Sequence, residues 1–195
     1  AIGRNALDGV VTGDYNTAVG VLAMQSNTGG NNNVAVGNCM TSNTTGAQNT
    51  ALGNSALNAN TTASYNVAIG NQALEANTTG TYNVGVGYKA LETNTSAIKN
   101  TALGYQALKA NTTGHRNTAA GTDALLSNTT GAYNSAFGQD SMGLNTTGNH
   151  NTALGRATLY TNSTGSNNIA IGYNALNANQ TANDNVAIGY RTLVA

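Results

Sequence analysis

The chain has 195 residues, seven basic and seven acidic side chains, and a formal net charge of zero, with only 7% of its residues charged. Scattered charges of both signs leave no basic face for phosphates, which excludes a nucleic-acid-binding surface. Trp and Pro are absent and Phe occurs once, against 33 Asn and 24 Gly, so a deep globular core is excluded as well.

From its first residues the chain keeps a seventeen-residue beat. It is marked by Gly3, Gly20, Gly37, Gly53, Gly70, Gly87, Gly104, Gly121, Gly138, Gly155, Gly172 and Gly189, and only the step from Gly37 to Gly53 is shorter, at 16. A fixed short period signals one structural unit stacked on copies of itself. Residues 1–195 therefore read as a single continuous repeat array, and its lack of atypical ends reads as a piece of a longer fibre protein. The strict phasing of Leu, Ile and Val is foreign to disordered tracts.

Each unit opens on an asparagine four residues before the glycine: Asn16, Asn33, Asn49, Asn66, Asn83, Asn100, Asn117, Asn134, Asn151, Asn168 and Asn185. A structural Asn row is expected here, turned inward and bonded from coil to coil, as amide ladders are in cross-β structures. Next comes a strand such as Val67-Ala68-Ile69 or Val186-Ala187-Ile188, because β-branched residues suit a pleated surface. The residue before the glycine is read as the first core row: Ile2, Val19, Val36, Leu52, Ile69, Val86, Leu103, Ala120, Phe137, Leu154, Ile171 and Ile188. Alternation along a strand then turns the neighbouring alanines, Ala18, Ala35, Ala51, Ala68 and Ala102, outward.

After the glycine comes an Ala-Leu segment such as Gln72-Ala73-Leu74-Glu75-Ala76, which is expected as a second short strand or a single helical turn. Its second core row is Leu7, Met24, Met40, Leu57, Leu74, Leu91, Leu108, Leu125, Met142, Leu159, Leu176 and Leu193. The three methionines sit in this row as gap-fillers. Ala56, Ala73, Ala90 and Ala107, one residue earlier, are expected to face outward. Cys39 falls in this small phase if the residue missing from the short unit lies beside Asn38, and it reads as a packed small residue. The unit closes on a polar turn such as Asn111-Thr112-Thr113-Gly114.

Seventeen residues are too few for a strand-and-helix unit, which needs about 30. The fold class expected is all-β: a parallel β-solenoid of about twelve coils stacked about 4.8 Å apart, hence a rod about 55 Å long. No Asn is followed by Gly, which removes the strongest short hairpin signal. Two large aliphatic side chains per coil bury little against the entropy of ordering seventeen residues, so contact with identical subunits is expected to add burial.

The runs Asn66-Val67-Ala68-Ile69-Gly70, Asn168-Ile169-Ala170-Ile171-Gly172 and Asn185-Val186-Ala187-Ile188-Gly189 resemble the head repeats of trimeric autotransporter adhesins. The full unit, with Asn100-Thr101-Ala102-Leu103-Gly104-Tyr105-Gln106-Ala107-Leu108, is similar to repeats of phage tail-fibre-like and bacterial surface proteins. The resemblance covers essentially the whole chain and implies a homotrimeric β-roll. It also implies an extracellular location, on a cell surface or a virion, and a role in attachment, with any glycan or protein receptor met by other parts of the fibre.

Chemistry has little to work with. The acidic residues Asp8, Asp14, Glu75, Glu92, Asp123, Asp140 and Asp184 form no recurring carboxylate pair, and His115 and His150 lack partners for a metal site. No catalytic, cofactor-binding or metal-binding residue is assigned, no cofactor is expected, and no run reaches membrane-spanning length. The nine Asn-x-Ser/Thr sites, at Asn43, Asn60, Asn77, Asn94, Asn111, Asn128, Asn145, Asn162 and Asn179, read as turn residues rather than glycan acceptors, since coils at about 4.8 Å spacing leave no room for a glycan on each. Aligned Thr61, Thr78, Thr95, Thr112, Thr129 and Thr146 raise ice binding as the alternative function. Tyrosines before the repeat Asn (Tyr15, Tyr65, Tyr82, Tyr133) and after the glycine (Tyr88, Tyr105, Tyr173, Tyr190) suit a subunit seam, with sugar stacking as the second reading.

Overall fold

The computed structural model describes residues 1–9 and 12–194. Eleven three-residue strands follow one another: β1 Thr17–Val19, β2 Val34–Val36, β3 Thr50–Leu52, β4 Val67–Ile69, β5 Val84–Val86, β6 Thr101–Leu103, β7 Thr118–Ala120, β8 Ser135–Phe137, β9 Thr152–Leu154, β10 Ile169–Ile171 and β11 Val186–Ile188. They form one parallel sheet in sequence order, each strand paired with the next in register, as in Val67↔Val84 and Ile69↔Val86. Ile2 extends the ladder by an isolated bridge to Val19. The chain is a parallel β-solenoid with one strand per coil, and the described residues contain no helix.

Each strand is short because its two ends are fixed by residues with other duties. Ahead of it an asparagine commits its side chain to the neighbouring coil. Behind it the glycine takes a φ closed to L side chains: at Gly70 φ is +129, and a Cβ there would stand 2.5 Å from the carbonyl oxygen of Gly87. The recurring glycine thus serves the bend and the close approach of two coils at once.

The Ala-Leu segment is neither strand nor helix. Two of its residues per coil are left-handed, for example Gln72 at φ 58 and Leu74 at φ 51, and the residue before the repeat asparagine is a third, such as Tyr82 at φ 61. A left-handed L residue costs about 1–2 kcal/mol. In exchange, backbone N–H groups turn toward adjacent coils: Gln72 donates back to Asn54 (2.9 Å) and Leu74 donates forward to Ala90 (3.0 Å). A helical turn would have closed those bonds within one coil and left the stack without them.

The short coil drops one residue of this turn. Only Asn38 and Cys39 separate Gly37 from Met40, where Asn54, Ser55 and Ala56 separate Gly53 from Leu57. Ser55 is left-handed (φ 57), and the short coil has no counterpart to it. Register recovers at once, since Met24 donates to Cys39 and Met40 to Ala56.

The core is a thin sheet of alanine against leucine. Ala35, Ala51, Ala68 and Ala102 are fully buried, as are Ala56, Ala73, Ala90 and Ala107. Both alanine rows therefore face inward, correcting the outward placement expected from the sequence. The Leu and Met row, with Met24, Met40, Leu57, Leu74, Leu91, Leu108, Leu125, Met142 and Leu159 fully buried and Leu176 nearly so, packs against them. Leu193, in the last coil, is exposed.

Candidate interaction face

The other expected core row lies outside. In β4 the burial pattern is half-buried, buried, half-buried, so Val67 and Ile69 point away from the core and Ala68 points into it. Phe137 is 42% exposed, Leu103 43% and Leu154 49%, and Leu52 and Ile188 are exposed too. Val19, Val36, Ile69, Val86 and Ile171 are half-buried on the same face. The correction follows from parity. Asn66 and Ile69 are three residues apart, and on a pleated strand such residues face opposite ways. Once the asparagine turns inward, the residue before the glycine must turn outward.

The asparagines do turn inward. Asn33, Asn49, Asn66, Asn83, Asn100, Asn117, Asn134, Asn151 and Asn168 are fully buried, while Asn16 and Asn185 near the ends are partly so. Each side chain links two neighbouring coils. Asn100 Oδ1 accepts the backbone N–H of Asn117 (2.9 Å), and its Nδ2 donates to the carbonyl of Gly114 (2.9 Å).

A second asparagine ladder runs beside the first. The turn asparagines, among them Asn43, Asn60, Asn77 and Asn111, are fully buried. Asn60 Nδ2 donates to Asn43 Oδ1 (2.7 Å) in the preceding coil and to Ala63 O (3.0 Å) in its own turn. These residues are thus more than turn formers, and the phase is filled by Asn in every unit from Asn27 to Asn179, as regularly as the first row. Acceptor nitrogens so engaged are closed to a glycosyl donor in the folded chain. The following threonines are committed as well: Thr112 Oγ1 donates to Thr129 O (3.1 Å), and Thr129 Oγ1 to Thr146 O (3.1 Å). The second threonine of the turn, such as Thr113 or Thr130, is exposed, in single file.

Outward, then, the sheet presents two side-chain rows per coil. One is Thr, Ser, Val or Ile; the other is aliphatic apart from Phe137. Exposed tyrosines stand at both ends of the strands and stack between coils. Tyr65 and Tyr82 lie 4.8 Å apart, ring to ring, and Tyr88 and Tyr105 5.4 Å. Tyr133 stacks on His150 at 4.8 Å, and Arg116 and Arg156 sit over the rings of Tyr133 and Tyr173. The face thus carries one aliphatic row beside a mixed Thr, Ser, Val and Ile row, with aromatic side chains toward both ends of the strands.

Reactive chemistry is sparse. Among the described residues no three His, Cys, Asp or Glu side chains gather as a metal site, and no helix is long and apolar enough to cross a membrane. Cys39 is buried, and its thiol is pushed up to about 11 by burial, with the backbone of Val36 acting the other way. Glu92 bridges Lys89 (2.8 Å) and Lys109 (3.8 Å) on the Leu-turn side. Asp123 is raised above the usual carboxylate range by burial and by Asp140, with Lys109 opposing. No family model, curated protein or solved structure matches the chain.

Proposed function

We propose that this chain is a shaft segment of an extracellular attachment fibre, in which three identical copies lie side by side with their sheet faces turned to one another. The observation that carries the reading is the apolar row from Val19 to Ile188, left at the surface while the chain's other aliphatic row is sealed inside. Eleven strands at about 4.8 Å, with the outward rows and their borders about 13 Å across, give a flat footprint of roughly 600 Å² per copy before corrugation is counted. That footprint, Thr and Ser side chains included, lies just below the ~800 Å² a copy contributes to a standard interface.

The resemblance of the Asn-Val-Ala-Ile-Gly runs to adhesin head repeats supplies the number three and the setting. Sedimentation equilibrium of the purified chain tests the assembly: a mass near three times 19.6 kDa is expected. Ile69→Asp with Leu103→Asp should give a folded monomer. A monomeric wild type at micromolar concentration would end the reading. Antibody labelling of intact producing cells or particles tests the location.

A further inference from the structure

Each strand of the outward face presents one Thr, Ser, Val or Ile and, two residues on, one aliphatic side chain or Phe137. Where the first outward residue of a strand is Thr or Ser, the second is usually Leu or Phe, as in Thr101/Leu103 and Ser135/Phe137. The strand β7 breaks this balance: its outward pair is Thr118 and Ala120, the smallest on the face. Directly beside Ala120 in the ladder stands Phe137, the only Phe in the chain. The face therefore carries one hollow and one bump in adjacent coils.

We infer that Phe137 and Ala120 form a register lock between parallel copies, with the Phe137 rings of neighbouring chains meeting at one level and spreading into the space left by their Ala120 side chains. The inference rests on the side-by-side assembly proposed above. A closed ring of parallel rods relates its copies by pure rotation, which puts same-numbered coils at one level. A slip of one coil between two copies would seat one Phe137 on Ala120 and set the other against Leu154, and a closed ring cannot share that slip equally, so only the unslipped register treats every Phe137 alike. An antiparallel pair centred between β7 and β8 would also place Phe137 opposite Ala120. It would match β4 to β11 and leave the outward residues of β1 to β3 uncovered, whereas the parallel arrangement covers the face from end to end.

Cross-linking reads the register directly. In a Cys39→Ala background, differently tagged copies carry Ile69→Cys or Leu103→Cys. These positions lie two coils apart, about 9.6 Å, beyond the ~4.4–6.8 Å Cα separation a disulfide accepts. Mild oxidation should give 69–69 and 103–103 links and no 69–103 link. With Phe137→Ala in both copies, 69–103 links should appear as the register loosens. Phe137→Ala with Ala120→Phe, which exchanges bump and hollow, should suppress them again. Because Phe137 is exposed, circular dichroism should show these solenoids unchanged. Persistence of a single register in Phe137→Ala would overturn the lock while leaving the assembly intact. Links between copies carrying Ile69→Cys and copies carrying Ile188→Cys would overturn the parallel orientation. The absence of any link, with a monomer in sedimentation, would remove the underlying assembly itself.

Discussion

The two aliphatic rows of this chain are equally regular in sequence and meet opposite fates. Leu57, Leu74, Leu91 and Leu108 are sealed inside the coil, while Leu52, Ile69, Val86 and Leu103 lie on its surface. Hydrophobicity does not separate them. What separates them is the asparagine three residues ahead of the outward row. An inward amide that bonds two neighbouring coils is worth about 1 kcal/mol per hydrogen bond made, and about 1–3 kcal/mol is lost for each buried polar group left unpaired. Alternation along the strand does the rest. Polar satisfaction, repeated coil after coil, thus decides which apolar residues form the core and which are left for a partner.

The sharpest way to break this comparison is to put the same charge in both rows. Leu108→Asp places a carboxylate in a dry row and removes a buried leucine, and it should destabilise the solenoid by roughly 4–6 kcal/mol. Leu103→Asp, five residues away and half exposed, should leave the unfolding of the single rod within about 0.5 kcal/mol of wild type while abolishing assembly. Urea titration of both variants at a concentration where neither associates is the measurement. Equal losses would mean that the outward row is a core row after all.

Next in size is the asparagine that sets the parity. Asn100→Ala strips an acceptor from the N–H of Asn117 and a donor from the carbonyl of Gly114, both buried. The expected loss is about 1–3 kcal/mol, because the N–H of Asn117 is orphaned while the carbonyl of Gly114 keeps its bond from Asn111 Nδ2 (3.0 Å). Asn58, half-buried at a phase where other units carry Glu or Lys, only accepts from Thr41 Oγ1. Its alanine variant should lose less than about 1 kcal/mol. Comparable thermal midpoints for the two would reduce the ladder to a habit of composition.

The legible part of this fold is its repetition. Period, strand positions, parallel stacking, the Asn row and the Leu row all follow from residues that recur in phase. The facing of the strand is harder to read, because its two inward claims, Asn66 and Ile69, are of opposite parity, and size favours the apolar residue where hydrogen bonding favours the amide. Phe137 carries the same ambiguity, since its row alone would place it inside. The Ala-Leu turn is hidden for another reason. Left-handed residues are usually announced by Gly, Asn or Asp, but here Leu74 and Gln72 hold those angles among helix formers. The contacts that hold them there come from the next coil and leave no mark within a single unit.

That stored strain gives a smaller test. Gln48 is exposed at φ 58, in the phase Tyr65 and Tyr82 occupy. Gln48→Gly removes a left-handed penalty of about 1–2 kcal/mol and adds back about 0.5–1 kcal/mol of chain entropy, so a net gain of about 0.5 kcal/mol is expected. Leu57 carries a similar angle (φ 51) but offsets it with a fully buried side chain, so the same exchange there should destabilise. A gain at both positions in chemical denaturation would show that the Leu row contributes less than its burial implies.

The smallest expected effect lies inside, at the one strand whose inward residue is glycine. Gly85 pairs in register with Ala68 on one side and Ala102 on the other, both fully buried. A Cβ at Gly85 would meet Leu74 Cγ at 3.4 Å and the carbonyl oxygen of Ala90 at 3.1 Å, and its φ is not in the left-handed range. The leucine contact is ordinary packing; the carbonyl contact is tight enough to require a shift of a few tenths of an ångström. The row on either side already accommodates that methyl group, and replacing Gly by Ala at a compatible angle stabilises by about 0.4–1 kcal/mol through the unfolded chain. Gly85→Ala should therefore raise stability by about 0.5 kcal/mol or leave it unchanged. A loss above about 1 kcal/mol would show that Leu74 has settled into the space the missing methyl leaves, which makes the inner row a fitted surface at this coil rather than a uniform one.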